Sequence, residues 1–411
     1  MKVMWLCNIA LPKIAYNMGI SIPPFGGWLT SLAEDLNTSR GVELCVVFPS
    51  SKVVENKVDN LSYYSFSPEE NNTSYFESVL ERVVPDVVHI WGTEERHAYE
   101  MVKACSKKNI KDKVVVSIQG LVSIIERHYY AALPERVVKA WSFHDIVTKR
   151  NIYFGRKNFV NRGRLEERIL TSVNHVIGRT DWDEACVTRL NQNIKYHFCN
   201  ETLREHFYED KWTLEGCQRH SIFVSQCSYP IKGFHLMLEA MAEIIKKYPD
   251  AHLYTTGHNP LKLSFRQKVR QTAYSIYIGK LLKKYRLQDK VTFLGVLDAE
   301  KMKAQYLKAN VFVSCSSIEN SPNSVGEAMI LGVPTISSDV GGVKNMLVHE
   351  KEGFIYPWDE PYMISYYVDR IFRDEKTALY ISDNAIKHAE LTHNRKKNYQ
   401  TILNIYKDIA Q

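Results

Sequence analysis

Short, nearly unbroken apolar runs alternate along the chain with stretches whose hydrophobic residues recur every three to four positions. The runs at residues 3–9, 42–48, 87–90, 114–118 and 175–177 are rich in Val and Ile and lack the polar alternation of a half-exposed sheet, so they predict parallel strands buried on both faces. Helical periods lie between them at 28–36, directly after the Gly26-Gly27 pair, at 95–106, and at 183–190 with Asp181 as N-cap. After a polar stretch at 209–218 the alternation resumes, with strands at 222–224, 252–255, 291–294, 311–314 and 335–337. Helices are expected at 233–247, 299–309, 324–331 and 362–372, followed by helical segments without further strands. The pattern predicts two doubly wound α/β domains, 1–208 and 209–380, with the helices of 381–411 packing back on the first. In such sheets ligands bind at the carboxyl ends of the strands, here in a cleft between the two halves.

Composition agrees with this picture. The chain has 411 residues, 45% hydrophobic and 24% charged, which suits two to three globular domains and excludes disordered, collagen-like and coiled-coil chains. Its 8 cysteines include no C-x-x-C pair, which removes zinc-ribbon and thioredoxin-like readings. Most lie in apolar runs, as buried reduced thiols of a cytoplasmic protein do. The N-terminus reads as a first strand and not as a signal peptide, and no apolar run approaches the roughly 18 residues of a membrane span. The net charge of +7 favours anionic partners: nucleic acid, anionic lipid or phosphorylated metabolites.

The densest chemistry lies in 316–334, where a Pro/Asn/Ser loop leads from a strand into a helix. The N–H groups of Ser324 and Val325 at that helix start suit a phosphate. Glu319 and Glu327 flank the junction, and paired carboxylates can accept hydrogen bonds from sugar hydroxyls. Ser324 with Glu327 also fits an S-x-x-E capping box, a purely structural alternative. Lys232-Gly233, after the strand at 222–224, places a point charge where a diphosphate would lie. No G-x-G-x-x-G follows any strand, so a dinucleotide-binding oxidoreductase has no support. Asp181-Trp182-Asp183 has the D-x-D form of a metal site, but its place before a helical period favours capping.

Glu319, seven intervening residues, Glu327, then Ala328-Met329-x-x-Gly332-x-Pro334, Asp339-x-Gly341-Gly342 and Glu352-Gly353-Phe354 together resemble the nucleotide-binding signature of retaining glycosyltransferases of family 4, of GT-B fold. The resemblance implies two Rossmann-like domains facing a central cleft and catalysis without a cofactor or metal. It implies that Glu319 holds the donor sugar and Glu327 the ribose. Lys232, Asn323, Ser324 and Val325 would surround the diphosphate, with Gly257 and Leu294 also on the donor. Pro23-Pro24-Phe25-Gly26-Gly27-Trp28 resembles the family's glycine loop. Two positions depart from the family: Cys227 stands where an Arg usually precedes the Lys, and Gln119 where a His often ends the strand at 114–118. An amide can orient a hydroxyl but cannot take its proton, and Glu94, His97 and His128 are further candidates there.

The implied reaction moves a sugar from a UDP- or GDP-sugar to a hydroxyl of a glycan or lipid-linked acceptor, in bacterial surface polysaccharide synthesis such as capsule or lipopolysaccharide. Two alternatives stay open: a sugar-nucleotide 2-epimerase of the same fold, and a non-enzymatic basic protein that binds nucleic acid or membrane. No nucleic-acid-reading motif is present, so nucleic acid is not an expected partner. Two stretches concentrate the basic charge: eight Lys/Arg against Asp145 in 136–164, interleaved with aromatics, and nine against Asp289 in 262–290. The first suits an anionic membrane surface, as for a cytoplasmic protein held peripherally on the inner face of the membrane, and equally a solvated helix face.

Overall fold

The computed structural model describes residues 1–21 and 26–411, so the Pro23-Pro24-Phe25 part of the glycine loop lies outside the described residues. The chain forms two compact units. The first comprises Met1–Ile124, Val160–Arg204 and His393–Gln411, the second Ile125–Phe159 and Glu205–Thr392.

The first unit is built on β1 (Lys2–Leu6), β2 (Glu43–Pro49), β3 (Glu55–Val58), β4 (Leu61–Phe66), β5 (Val87–Trp91), β6 (Val114–Ser117), β7 (His175–Gly178) and β8 (Lys195–Phe198). Their order is β3-β4-β2-β1-β5-β6-β7-β8, parallel except for the β3–β4 pair. Successive residues of β1 point into opposite layers: Met4 and Leu6 join Val47, Val88 and Val116, while Val3 and Trp5 join Val46, Val87 and Val115. Both layers are sealed from water, which is why these strands read as unbroken apolar runs. The second unit carries β9 (Gln218–Val224), β10 (His252–Thr255), β11 (Val291–Phe293), β12 (Ala309–Ser314), β13 (Thr335–Ser338) and β14 (Phe354–Tyr356). Its order, β11-β10-β9-β12-β13-β14, is wholly parallel. Each unit is thus a doubly wound α/β sheet.

The units divide the chain differently from the sequence-based boundaries at three places, the smallest being the break at 204/205 and not at 208/209. Ile125–Phe159, expected in the first domain, belongs to the second unit. Its short helix Glu135–Val138 buries Val137 and Val138 and packs on the helix Ala273–Lys284. The return to the first unit starts at His393 and not at 381, because the helix Glu375–Thr392 packs on Asn323–Leu331. The final helix, Arg395–Ala410, then buries Ile402, Tyr406 and Ile409 among first-unit core residues. Arg395 also grips both carboxylate oxygens of Asp35 at 2.9 Å. Strands β3, β4, β8 and β14 escaped the hydrophobic pattern, since they are short or carry polar residues such as the Glu-Asn-Lys of β3. Among the described residues, no helix is long and apolar enough to cross a membrane.

Candidate donor-binding site

In the second unit the chain lays down β9, β10 and β11 in one direction and then returns to place β12 against the other side of β9. The carboxyl ends of β9 and β12 therefore flank a topological switch point, the usual ligand position in an open parallel sheet. The loops that leave these two ends bring Lys232 and Glu319 together. Lys232 closes the single turn Pro230–Lys232, and Gly233 follows with φ +66°. A Cβ on Gly233 would stand 1.7 Å from the Cys315 carbonyl oxygen, so glycine is what lets the two loops touch. The Lys232 ammonium pairs with Glu319 Oε1, which also accepts the Ser316 hydroxyl at 2.6 Å, and it lies 5.9 Å from the Tyr229 ring centre. Burial works against the Lys232 charge, but the adjacent Glu319 overrides it and holds the amine pKa above its usual value. Lys232 is a fixed cation, part-buried and open enough to meet an anion.

The helix Asn323–Leu331 begins beside this pair with Pro322 at its N-cap and no side-chain cap. Ser324 therefore lies inside the first turn, and the capping box that its spacing with Glu327 allowed does not form. The Val325 N–H, expected to point at a phosphate, donates instead to the Pro322 carbonyl at 3.0 Å. The Ser324 N–H has no partner among the described residues, and the Ser321 hydroxyl is buried without one. Sequence reasoning passed over Ser321, one of several buried polar atoms without a partner among the described residues. Glu327 is buried in the second turn of the same helix, and Asn323 forms its first residue.

Gly257, with φ +99°, exchanges backbone hydrogen bonds with Gly295 at 2.8 and 3.0 Å, and the Leu294 N–H donates to the Thr255 carbonyl. Beside them opens a cavity of about 420 Å³ whose walls include Cys227, Ser228, His258, Arg270, Gln271 and Phe293. Cys227 cannot supply the charge of an Arg: its thiol donates to the Thr256 carbonyl, and burial pushes its pKa up to about 11. Arg270 brings a cation to the same cavity. Its only sequence signal was membership of the basic stretch at 262–290.

The remaining candidates lie in the first unit, apart from His128. Gly26 has φ +82°, which favours glycine, while Cβ atoms added at Gly26 and Gly27 would meet the side chains of Ile9 and Arg204, which would have to shift. Gln119, just beyond β6, donates its amide N–H to Glu201 Oε1 at 2.7 Å, and Arg179 holds Glu201 Oε2 at 2.9 Å. This nearly buried ion pair, not visible in the sequence, fixes the orientation of the amide. Glu94 Oε2 is buried with no hydrogen-bond partner, and burial raises its pKa to about 7. His97 bonds Asn8 at 2.7 Å and is held neutral by burial, its pKa lowered to about 4. His128 belongs to the second unit, where its backbone carbonyl accepts the Ser317 hydroxyl at 3.2 Å.

Other motif residues have structural work. Asp183 completes a capping box with Thr180, which displaces Asp181 as the N-cap of the helix Asp181–Leu190. Glu352 accepts from the Val348 N–H at 2.9 Å and pairs with His388 at 2.7 Å, tying the end of the signature to a helix.

Residues 206–388 match the model of the family described as glycosyl transferases group 1. YtcC of Bacillus subtilis, which carries a provisional glycosyltransferase name, is 30% identical over 206 residues, 48% of each chain. The chain thus spans about half the length of this relative. Among solved structures, sucrose-phosphate synthase from Thermosynechococcus elongatus superposes with a TM-score of 0.71 at 15% identity, covering 100% of this chain and 99% of that one. HepE of Anabaena, solved in complex with UDP-glucose, gives 0.68 at 13%, covering 99% and 100%. At such identities the likeness speaks for the fold, which is GT-B.

Proposed function

We propose that this chain, whose residues 206–388 form a group 1 glycosyltransferase domain on a GT-B fold, transfers a sugar from a nucleotide-diphosphate sugar to a hydroxyl, with retained anomeric configuration and no metal. The observation that carries the reading is the Lys232–Glu319 pair at the β9/β12 switch point, set beside the unpartnered Ser324 N–H and Ser321 hydroxyl.

In this reading Lys232 and the Ser324 N–H take the charge that develops on the departing diphosphate, an electrostatic contribution available without a bound cation. Glu319 is then free to accept hydrogen bonds from the donor sugar, and Glu327 from the ribose. Gly257 and Leu294 border the nucleoside, with Arg270 as a second cation in the adjoining cavity. Gln119 orients the acceptor through the amide oxygen that its bond to Glu201 leaves open. The acceptor is a glycan or lipid-linked hydroxyl, and surface polysaccharide assembly is the setting this reading favours. HepE, solved with UDP and with UDP-glucose, makes UDP-sugars the first donors to try.

A thermal-shift panel of nucleoside diphosphates and their sugars tests the proposal. A donor present at 100 times its Kd should stabilise the protein by about 2.7 kcal/mol. Lys232→Ala and Glu327→Gln should remove the shift and the transfer while each variant still folds, which a single cooperative melting transition checks. Full transferase activity in the double variant, or no shift with any nucleotide, would overturn the assignment.

A further inference from the structure

The segment Ile125–Phe159 presents to solvent side chains that proteins normally bury. Its helix Phe143–Thr148 is pinned from one side: Asp145 is buried, and its carboxylate accepts the backbone N–H of Ser142 at 3.0 Å and of Ala273 at 2.9 Å. With Asp145 turned inward, Phe143, Ile146 and Val147 face outward, 65%, 60% and 66% exposed. Trp141, Tyr153 and Phe154 are also exposed and form one ring cluster, with Trp141 and Phe154 centroids 5.6 Å apart and Tyr153 and Phe154 5.5 Å apart. The Lys157 ammonium stands over both members of the latter pair, at 4.9 and 5.3 Å.

The charge around these residues is one-sided. Residues 135–157 hold six cations (Arg136, Lys139, Lys149, Arg150, Arg156 and Lys157) and two acids. One acid, Asp145, is the buried anchor, and the other, Glu135, pairs with Lys139, while Arg156 pairs with Glu126 at 2.8 Å. Lys149, Arg150 and Lys157 have no acidic partner among the described residues. We propose that this face of the second unit docks on an anionic lipid bilayer, with Phe143, Ile146 and Val147 entering the headgroup boundary and the cations meeting lipid phosphates.

Three observations select that occupant. Aliphatic and aromatic side chains clustered on one exposed helix and its flanks lose water at a membrane interface without needing a shaped partner groove. Trp and Tyr suit the depth where one end of the ring is apolar and the other wet. The unopposed cations disfavour a second copy of the same face and add attraction to an anionic surface, an attraction that salt weakens.

The test is sedimentation of the full chain with vesicles of phosphatidylcholine alone and of phosphatidylcholine with about one-third phosphatidylglycerol. Binding at least tenfold stronger to the anionic vesicles, falling as salt rises, is expected. The triple variant Phe143→Ser, Ile146→Ser, Val147→Ser should lose at least tenfold, as should Lys149→Glu with Arg150→Glu. Both variants should keep the wild-type melting curve, because every altered side chain is exposed. Equal binding by wild type and variants, no preference for anionic vesicles, or a patch variant that splits a dimer without changing vesicle binding would each overturn the proposal. Vesicle binding is read without donor or acceptor, so its outcome is independent of the transferase reading.

Discussion

Gly233 holds a backbone conformation that side chains rarely adopt, and it does so against a carbonyl. Its φ of +66° alone would cost an alanine about 1–2 kcal/mol. The oxygen of Cys315, 1.7 Å from where the Cβ would stand, belongs to a backbone packed on both sides and cannot move aside cheaply. Gly233→Ala should therefore destabilise the second unit by more than about 3 kcal/mol in urea unfolding. Gly295→Ala, at φ +73° with open space around it, should lose only the conformational part, about 1–2 kcal/mol. Equal losses would show that the contact with Cys315 is unimportant. Glu94 offers a second test in the other unit. Burial raises its pKa from 4.5 to about 7, so the folded state favours the protonated acid. Its contribution is fully present below the unfolded value and is lost as pH rises through 7. Glu94→Gln should then leave stability near pH 4.5 unchanged and raise it at pH 8, by on the order of 1–3 kcal/mol. A variant no more stable than wild type at pH 8 would refute the buried-acid account.

The last helix illustrates what holds an element that closes on a unit hundreds of residues away in sequence. Tyr406 is fully buried, and its hydroxyl accepts the Trp5 indole N–H at 2.9 Å and bonds His89 Nδ1 at 2.5 Å, while His89 Nε2 meets the Ser117 hydroxyl at 2.7 Å. Three strands, β1, β5 and β6, are thereby joined to Arg395–Ala410 by one polar chain in an apolar layer. Tyr406→Phe keeps the ring and leaves the Trp5 N–H without its acceptor, a loss of about 1–3 kcal/mol that urea unfolding should register. An unchanged midpoint would mean that this network adds nothing to packing. The periodic pattern located such a terminal helix but not its partners, because Tyr406 reads as one apolar position among several. Val87–Trp91, buried at every position, exceeds its expected range by only one residue, and His252–Thr255, buried on one face and half-buried on the other, coincides with its range. The edge strand β3 was not legible, because its Glu, Asn and Lys carry no burial signal.

At the scale of the whole chain, local pattern and spatial assembly part company in the same way. Lys232 and Glu319 could be singled out because a Lys-Gly after a strand and a spaced pair of carboxylates are local patterns. Ser321, Arg270 and the Arg179–Glu201 pair depend on which loops meet, and residue spacing does not record that. The buried histidines raise the same question of assembly, and their summed effect can be measured. Burial lowers the pKa of His97, His197 and His235 from 6.5 to about 4, and that of His89 well below its usual value. Each is neutral in the folded protein and becomes a cation in the unfolded chain below about pH 6.5. A depressed folded value means that the stability is present above 6.5 and is lost as pH falls towards 4. Between pH 7 and 5 each such group can lose up to about 2 kcal/mol, so four could together remove several kcal/mol. Glu94 and Glu166, whose pKa values burial raises, oppose the trend, since their protonated forms gain as pH falls, but they are two groups against four. His197 should be especially sensitive: it lies 3.1 Å from the ring of His175, whose pKa burial also lowers, so a proton on either ring repels a proton on the other. Thermal unfolding should accordingly move to lower temperature from pH 7 to pH 5, and His197→Gln should reduce the size of that shift. A melting temperature that holds steady or rises over this interval would mean that these imidazoles titrate in the folded protein much as they do in water.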